Sequence, residues 1–267
     1  MKLVLLSDLH LTDGEHHYGR LPRACLRQAI AHLGTHHGDA DLCLLLGDLT
    51  DSGSPAQYAA LKEELGHLPM PYRLTIGNHD HRANFIDAFG KGHADPAGMA
   101  QTAVDCGGYR CLLLDSHVPG RPGGSLDGGR LEAFAAALAA SDGPCLVFLH
   151  HPPLKTGLPA FDAIGLAERD SFAKIVANHK DKIAGIFFGH CHMAVAGTVA
   201  GVPAFGIRST LYQGLPNLAD ARFLNAPGLP PAYGVVVAED GALAVHHVDF
   251  GYGGPVIAST LSTETVA

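Results

Sequence analysis

No run of apolar residues in this 267-residue chain is long enough to cross a membrane. The longest, Leu3-Val4-Leu5-Leu6 and Leu42-Cys43-Leu44-Leu45-Leu46, are strand-sized. Charge is scarce, at 16% of residues, and none of it gathers into a long basic block. With 18 Lys and Arg against 26 Asp and Glu, the formal net charge is −8. That balance argues against a nucleic-acid partner or an anionic membrane surface. The six cysteines form neither a CxxC pair nor a dense framework, so reduced thiols and a cytoplasmic protein are expected. Near the start, one lysine and a short apolar run lead straight into Ser7-Asp8-Leu9-His10. No small-residue cleavage site follows, so no signal peptide is expected. Glycine and proline, 33 and 17 residues, make up about 19% of the chain, below the level of a low-complexity sequence.

What the chain does have is a hydrophobic content of 47% and 18 histidines. Apolar strand-length runs recur at 2–7, 41–47, 72–76, 110–115, 145–149 and 183–188, with two more at 202–207 and 234–238. Between them lie helical patterns. At 55–65, Ser54 is a natural N-cap, Pro55 suits the first position and Gln57 completes a capping box. Tyr58, Leu61 and Leu65 share a face, and Gly66 ends the helix. Further helices are expected at 22–33, 129–140 and 168–178. Alternating strands and helices imply an α/β fold with buried, mostly parallel strands. Near the end, 234–238 and 242–248 read as an antiparallel hairpin. No linker or repeat divides the chain. One domain over residues 1–253 is expected, followed by a polar tail at 254–267.

Polar residues follow the apolar runs in a consistent way. The first run ends in Asp8-Leu9-His10, the second in Gly47-Asp48 and the third in Gly77-Asn78-His79-Asp80. The fifth ends in His150-His151-Pro152-Pro153 and the sixth in Gly189-His190-Cys191-His192. Ligands of open α/β sheets bind outside the carboxyl ends of the strands, so five strand ends would bring Asp, Asn and His to one rim. In Asp8-x-His10 and His190-x-His192, extended chain would point both side chains of a pair the same way, with Cys191 facing away. Nitrogen and oxygen donors without thiolate suit Mn, Fe or Zn.

This ordered set (DxH, GD, GNHD, HH, GHxH) resembles the calcineurin-like metallophosphoesterases. The longer forms SDLHL, GDLTD, GNHD, HHPP and GHCH resemble its branch of class III cyclic-nucleotide phosphodiesterases and glycerophosphodiesterases. The resemblance implies a four-layer αββα sandwich of two mixed β-sheets flanked by helices, with a binuclear metal site at the C-terminal strand ends. It implies one divalent ion on Asp8, His10 and His192, and a second on Asn78, His150 and His190, with Asp48 bridging. His79 would face the leaving group, with Asp80 behind it.

Two ions roughly 3.5–4 Å apart lower the pKa of a bridging water towards about 7 and take up charge on phosphoryl oxygens. The implied reaction is hydrolysis of a small phosphodiester by attack of the bridging hydroxide, the substrate being a 3',5'-cyclic nucleotide such as cyclic AMP or a glycerophosphodiester. A phosphomonoesterase is the alternative within the same chemistry, and a metal-bound scaffold without turnover a third. His81, His17 and Arg208 are candidate substrate contacts. By similarity to the branch, a homo-oligomer is expected.

Overall fold

Strand-length runs without a polar residue need apolar neighbours on both faces, and the chain supplies them in four layers. In the computed structural model, which describes residues 1–259, the first sheet has the order β13 (Ala242–Asp249), β12 (Ala232–Glu239), β1 (Lys2–Leu6), β2 (Leu42–Leu46) and β3 (Tyr72–Thr75). Strands β1, β2 and β3 are parallel; β12 and β13 run antiparallel beside them. The second sheet has the order β4 (Thr102–Cys106), β5 (Tyr109–Leu113), β6 (Cys145–Leu149), β7 (Ile183–Phe188), β9 (Val202–Gly206) and β8 (Val195–Val199). Its inner strands β5, β6, β7 and β9 are parallel, and antiparallel β4 and β8 form its edges. A short ribbon, β10 (Gln213–Leu215) with β11 (Leu224–Ala226), lies outside both.

Alternation within the apolar runs builds the layers. Leu3, Leu5, Leu44 and Leu46 of the first sheet pack against Leu146, Phe148, Phe187 and Ile207, forming the core between the sheets. Their neighbours Val4, Leu6, Cys43 and Leu45 face outward, onto α1 (Pro22–His36), α2 (Pro55–Leu65) and α3 (Arg82–Phe89). On the far side Val147 and Leu149 meet α4 (Arg130–Ala139) and α6 (Arg169–Asn178) through Phe134, Leu138, Phe172 and Val176. Each fully buried Leu or Phe stabilises this stack by roughly 1.5–3 kcal/mol. The αββα sandwich of two mixed sheets is thus present. No helix among the described residues is long and apolar enough to cross a membrane.

Several expectations need adjusting. The Ser54 hydroxyl does accept from the Gln57 N–H (3.2 Å), but the reciprocal half of the capping box is missing. The Gln57 carbonyl instead accepts from the Ser52 N–H and hydroxyl, 3.0 and 3.1 Å away, because the preceding loop folds back over the helix start. Gly66 ends α2 in a right-handed conformation (φ −62°), so no left-handed cap is made. The edge strands β4 and β8 and the helix α3 were not foreseen. Each is short and half exposed, and α3 has one buried side chain, Phe85. The final hairpin is present, turned by Asp240-Gly241 with both φ values positive (50° and 79°). Of the expected tail, 254–259 has no helix or strand, and 260–267 lies outside the described residues.

Candidate metal centre

Strands β1, β2, β3, β6 and β7 end at one rim, and the loops after them carry Asp8 and His10, Asp48, Asn78, His150, and His190 and His192. The paired side chains converge, but not through extended-strand alternation. Asp8, His10, Asp48, His190 and His192 all adopt left-handed backbone, with φ between 45° and 68°. Such conformations cost non-glycine residues on the order of 1–3 kcal/mol each and persist where the surroundings dictate them. Glycine clears the space: a Cβ on Gly77 would land on the Asp48 carboxylate and 2.7 Å from His150 Nε2. Cys191 faces away, as expected, into the core beneath α4 and α6.

The donors lie close together. His10 Nε2 and His192 Nε2 are 3.1 Å apart, and His192 Nε2 is 3.3 Å from Asp8 Oδ1. On the other side His150 Nε2 is 3.2 Å from Asn78 Oδ1 and 3.2 Å from His190 Nδ1. Asp48 Oδ2 lies between, 3.4 Å from His150 Nε2 and 3.7 Å from His10 Nε2. Ring orientation is set from outside. His150 Nδ1–H donates to the Leu46 carbonyl (2.8 Å) and His192 Nδ1–H to that of Tyr212 (3.1 Å). Each bond leaves an Nε2 lone pair facing inward, the usual arrangement for metal-ligating histidines. The carboxylates are held similarly: the His190 N–H donates to Asp8 Oδ1 (3.1 Å) and the His79 N–H to Asp48 Oδ1 (2.9 Å).

These residues fit divalent cations. Two facing imidazole nitrogens satisfy each other only if one carries hydrogen, and two such pairs face each other here, His10 Nε2 with His192 Nε2 and His150 Nε2 with His190 Nδ1. Burial pushes His10 below the ordinary histidine value and His190 well below it, which keeps both rings neutral. Burial would raise Asp8 and Asp48, but the adjacent His192 and His150 outweigh it and hold both carboxyls below the usual range. At His150 burial is overcome by Asp48, and the ring is raised to about 9, so a proton stands where a cation would. His151 is buried next to this group but is not a candidate ligand: Nδ1 pairs with the Ser116 hydroxyl (2.8 Å) and Nε2 with the Pro122 carbonyl (3.2 Å).

His79 stands at the mouth, with its side chain 39% exposed. Its Nδ1 donates to the Asp51 carbonyl at 3.0 Å, with the Asp51 carboxylate 3.7 Å away. Asp80, expected behind this ring, is not there. Its carboxylate accepts from the backbone N–H groups of Leu49, Thr50 and Gly77 and from the Tyr58 hydroxyl, and so ties the second and third loops together. Burial raises the Asp80 carboxyl to about 6. The acid among the rings is Asp51, the last residue of the GDLTD stretch, also 3.7 Å from His10 Nδ1 and 3.6 Å from His17 Nδ1. Its motif was visible; its role was not.

Of the outer candidates, His17 stacks on His10 with ring centroids 5.5 Å apart. His81 caps α3, its Nδ1 accepting from the Asn84 N–H at 3.3 Å. Arg208 is committed elsewhere, to Asp249, the Pro230 carbonyl and Gln213.

The family model described as calcineurin-like phosphoesterase matches residues 1–194. The chain belongs to that family. A probable cyclic nucleotide phosphodiesterase of Rhodopseudomonas palustris is 32% identical over 261 residues, covering 96% of this chain and 95% of its own. A 3',5'-cyclic adenosine monophosphate phosphodiesterase of Pseudomonas aeruginosa is 30% identical over 71% of this chain and 69% of its own. A glycerophosphodiester phosphodiesterase of Enterobacter lignolyticus is 30% identical over 72% of this chain and 71% of its own. Among solved structures, a purple acid phosphatase from yellow lupin superposes with a TM-score of 0.70 at 14% identity. That likeness covers 95% of this chain and 52% of the lupin chain, and it concerns the fold alone.

Proposed function

We propose that this calcineurin-like phosphoesterase hydrolyses small phosphodiesters, 3',5'-cyclic nucleotides or glycerophosphodiesters, at a centre of two divalent ions. The observation that carries the proposal is the position of Asp48 Oδ2, within 3.4 and 3.7 Å of rings in two adjoining donor groups. Asp8, His10 and His192 would hold one ion, and Asn78, His150 and His190 the other, with Asp48 between them. Manganese, iron and zinc all suit this nitrogen and oxygen set. When bound, such a pair acidifies a water nucleophile and takes up charge on the phosphoryl oxygens.

The chain's own residues do the rest. Asn78 adds a donor without adding negative charge, so two carboxylates face two dications and the rim favours an anionic substrate. His79 spends Nδ1 on Asp51, leaving Nε2 to carry a proton to the departing oxygen. Burial works against its charge, but Asp48 and the Asp51 carbonyl outweigh it and raise the ring above the ordinary value. A substrate panel in Mn²⁺, with cyclic AMP, a glycerophosphodiester and a matching phosphomonoester, tests the proposal alongside metal analysis. Diester preference, close to two ions per chain and loss of activity on chelation are expected. Full activity at one ion per chain, or a clear monoester preference, would overturn it.

A further inference from the structure

An aromatic ladder climbs away from His10 to the protein surface. His17 stacks on His10 at 5.5 Å and 15°, and on Tyr212 at 5.3 Å and 19°. Tyr18 stands edge-on to both, 4.9 Å from His17 and 4.8 Å from Tyr212, and is 53% exposed. Its backbone is left-handed (φ 48°) and the next residue, Gly19, is left-handed too (φ 79°). A bulky side chain at such a position costs roughly 1–2 kcal/mol relative to right-handed backbone, which glycine would avoid. The backbone here therefore does not favour a tyrosine. The ring is also held in place: the Asn225 side-chain amide, from β11, donates to its hydroxyl at 2.9 Å. Ring and hydroxyl are held while an aromatic surface stays open to solvent, beside the candidate metal centre.

We infer that Tyr18, backed by His17 and Tyr212, is a stacking shelf for the nucleobase of the substrate, so that the diesters this site takes are nucleotides. The inference rests on the phosphodiesterase reading above and narrows it. A glycerol head group has no π-face to offer such a ring, whereas every base does, and base–aromatic stacking contributes about 1–3 kcal/mol. The ladder begins at a ring of the candidate centre and ends two ring-steps out, so a phosphate at the centre leaves the base beside Tyr18. A quaternary ammonium group is the other chemistry a tyrosine face accepts. A second aromatic pair, Phe161 beside His190 and Phe223 edge-on to Phe161, is the competing wall.

The test compares kcat/KM for cyclic AMP with that for glycerophosphoglycerol and glycerophosphocholine, in Mn²⁺, for the parent, Tyr18→Leu, Tyr18→Phe and Phe223→Ala. Tyr18→Leu should lower the ratio of cyclic AMP to glycerophosphoglycerol by about 5–150-fold, mainly through KM for cyclic AMP, the range that 1–3 kcal/mol of stacking implies. Tyr18→Phe, which keeps the ring and loses the hydroxyl bond, should restore the ratio to within about threefold of the parent. An unchanged ratio in Tyr18→Leu overturns the shelf. So does an equal loss in Tyr18→Phe, a loss that falls harder on glycerophosphocholine than on cyclic AMP, or a loss seen only in Phe223→Ala. If the parent hydrolyses no diester, titration calorimetry with AMP and glycerol 3-phosphate still decides. An AMP preference that Tyr18→Leu removes keeps the shelf while the phosphodiesterase reading falls, and no AMP preference overturns the shelf itself.

Discussion

The two sheets bring different atoms to the same rim. From the first come both carboxylates and the amide, Asp8, Asp48 and Asn78, with one ring, His10; from the second come imidazoles alone, His150, His190 and His192. Carboxylate oxygens are bare of protons near neutral pH, whereas a ring nitrogen has to be kept bare. The contrast extends to what holds them. Backbone N–H groups fix the first sheet's carboxylates, and backbone carbonyls fix two rings of the second, His150 and His192. Two of these bonds cross between sheets, from His190 N–H to Asp8 and from His150 to the Leu46 carbonyl. The first sheet thus contributes charge and the second contributes nitrogen. Each of the two proposed donor groups, Asp8, His10 and His192, and Asn78, His150 and His190, draws on both rims.

That division should appear first in mutants. Asp48→Ala should lower kcat/KM on bis(p-nitrophenyl) phosphate by about 10⁴-fold, roughly 5.5 kcal/mol in barrier, and reduce bound metal. His150→Ala should cost markedly less at saturating Mn²⁺, since only one donor group loses a member. Equal losses would erase the distinction between the rims, and a loss under about tenfold in Asp48→Ala would remove its bridging role.

The next effect separates the metal donors from His79. His79→Ala should cost about 10²–10⁴-fold on alkyl diesters such as cyclic AMP, with far less on bis(p-nitrophenyl) phosphate and metal content unchanged. A nitrophenolate leaves without a proton and an alkoxide does not. Equal loss on both substrates at full metal occupancy would mean that the ring stabilises charge or positions substrate instead.

Protons should then compete with metal at the second sheet's rim. Because Asp48 raises His150 to about 9, that ring holds a proton below this pH, and cation binding has to displace it. Metal affinity should therefore weaken as pH falls below about 9, by roughly tenfold per unit for each proton displaced. Calorimetry in two buffers of different ionisation enthalpy reads the proton count directly. Uptake with no proton released would contradict the assignment.

The smallest effect belongs to a charged group away from the rim. Glu64 of α2 binds Arg27 and Arg23 of α1, and those hydrogen bonds hold its carboxyl below the ordinary value against burial. A lowered carboxyl stabilises the fold above its unfolded pKa, and that contribution is lost as pH falls through the acid range. Glu64→Gln should cost roughly 1 kcal/mol or less near neutral pH and progressively less as pH falls through the acid range, read from thermal melts, with metal content unchanged. A fall in bound metal would show that the helix layer also shapes the rim.

Legibility in the sequence followed the same physics. Long apolar runs were plain because a strand buried on both faces has no room for polar residues, and the eight expected runs all lie on strands. Edge strands such as Val195–Val199, with Gly197 and Thr198 in the middle, carry no such signal, since half of each faces water. Among site residues, the place of Asp8, His10, Asp48, Asn78, His150, His190 and His192 after strands marked a shared rim and the family resemblance implied the ligand set, and the structure brings all seven together. The contact between Asp51 and His79 was not, because it depends on how two loops lie across each other. Arg208 looked free for the same reason: its partners, Pro230 and Asp249, are 22 and 41 residues away.

By itself, the sequence determined which atoms are available and which segments must be buried: oxygen and nitrogen donors after apolar runs, strands and helices in alternation. Tertiary structure alone decided the left-handed turns that aim Asp8, His10, Asp48, His190 and His192, the tautomers set by distant carbonyls, and the choice of Asp51 over Asp80 as partner of His79. The reason is one of range. Periodicity and spacing record what neighbours along the chain require of each other, whereas the meeting of two rims depends on side chains packed between two sheets, and no local pattern encodes that contact.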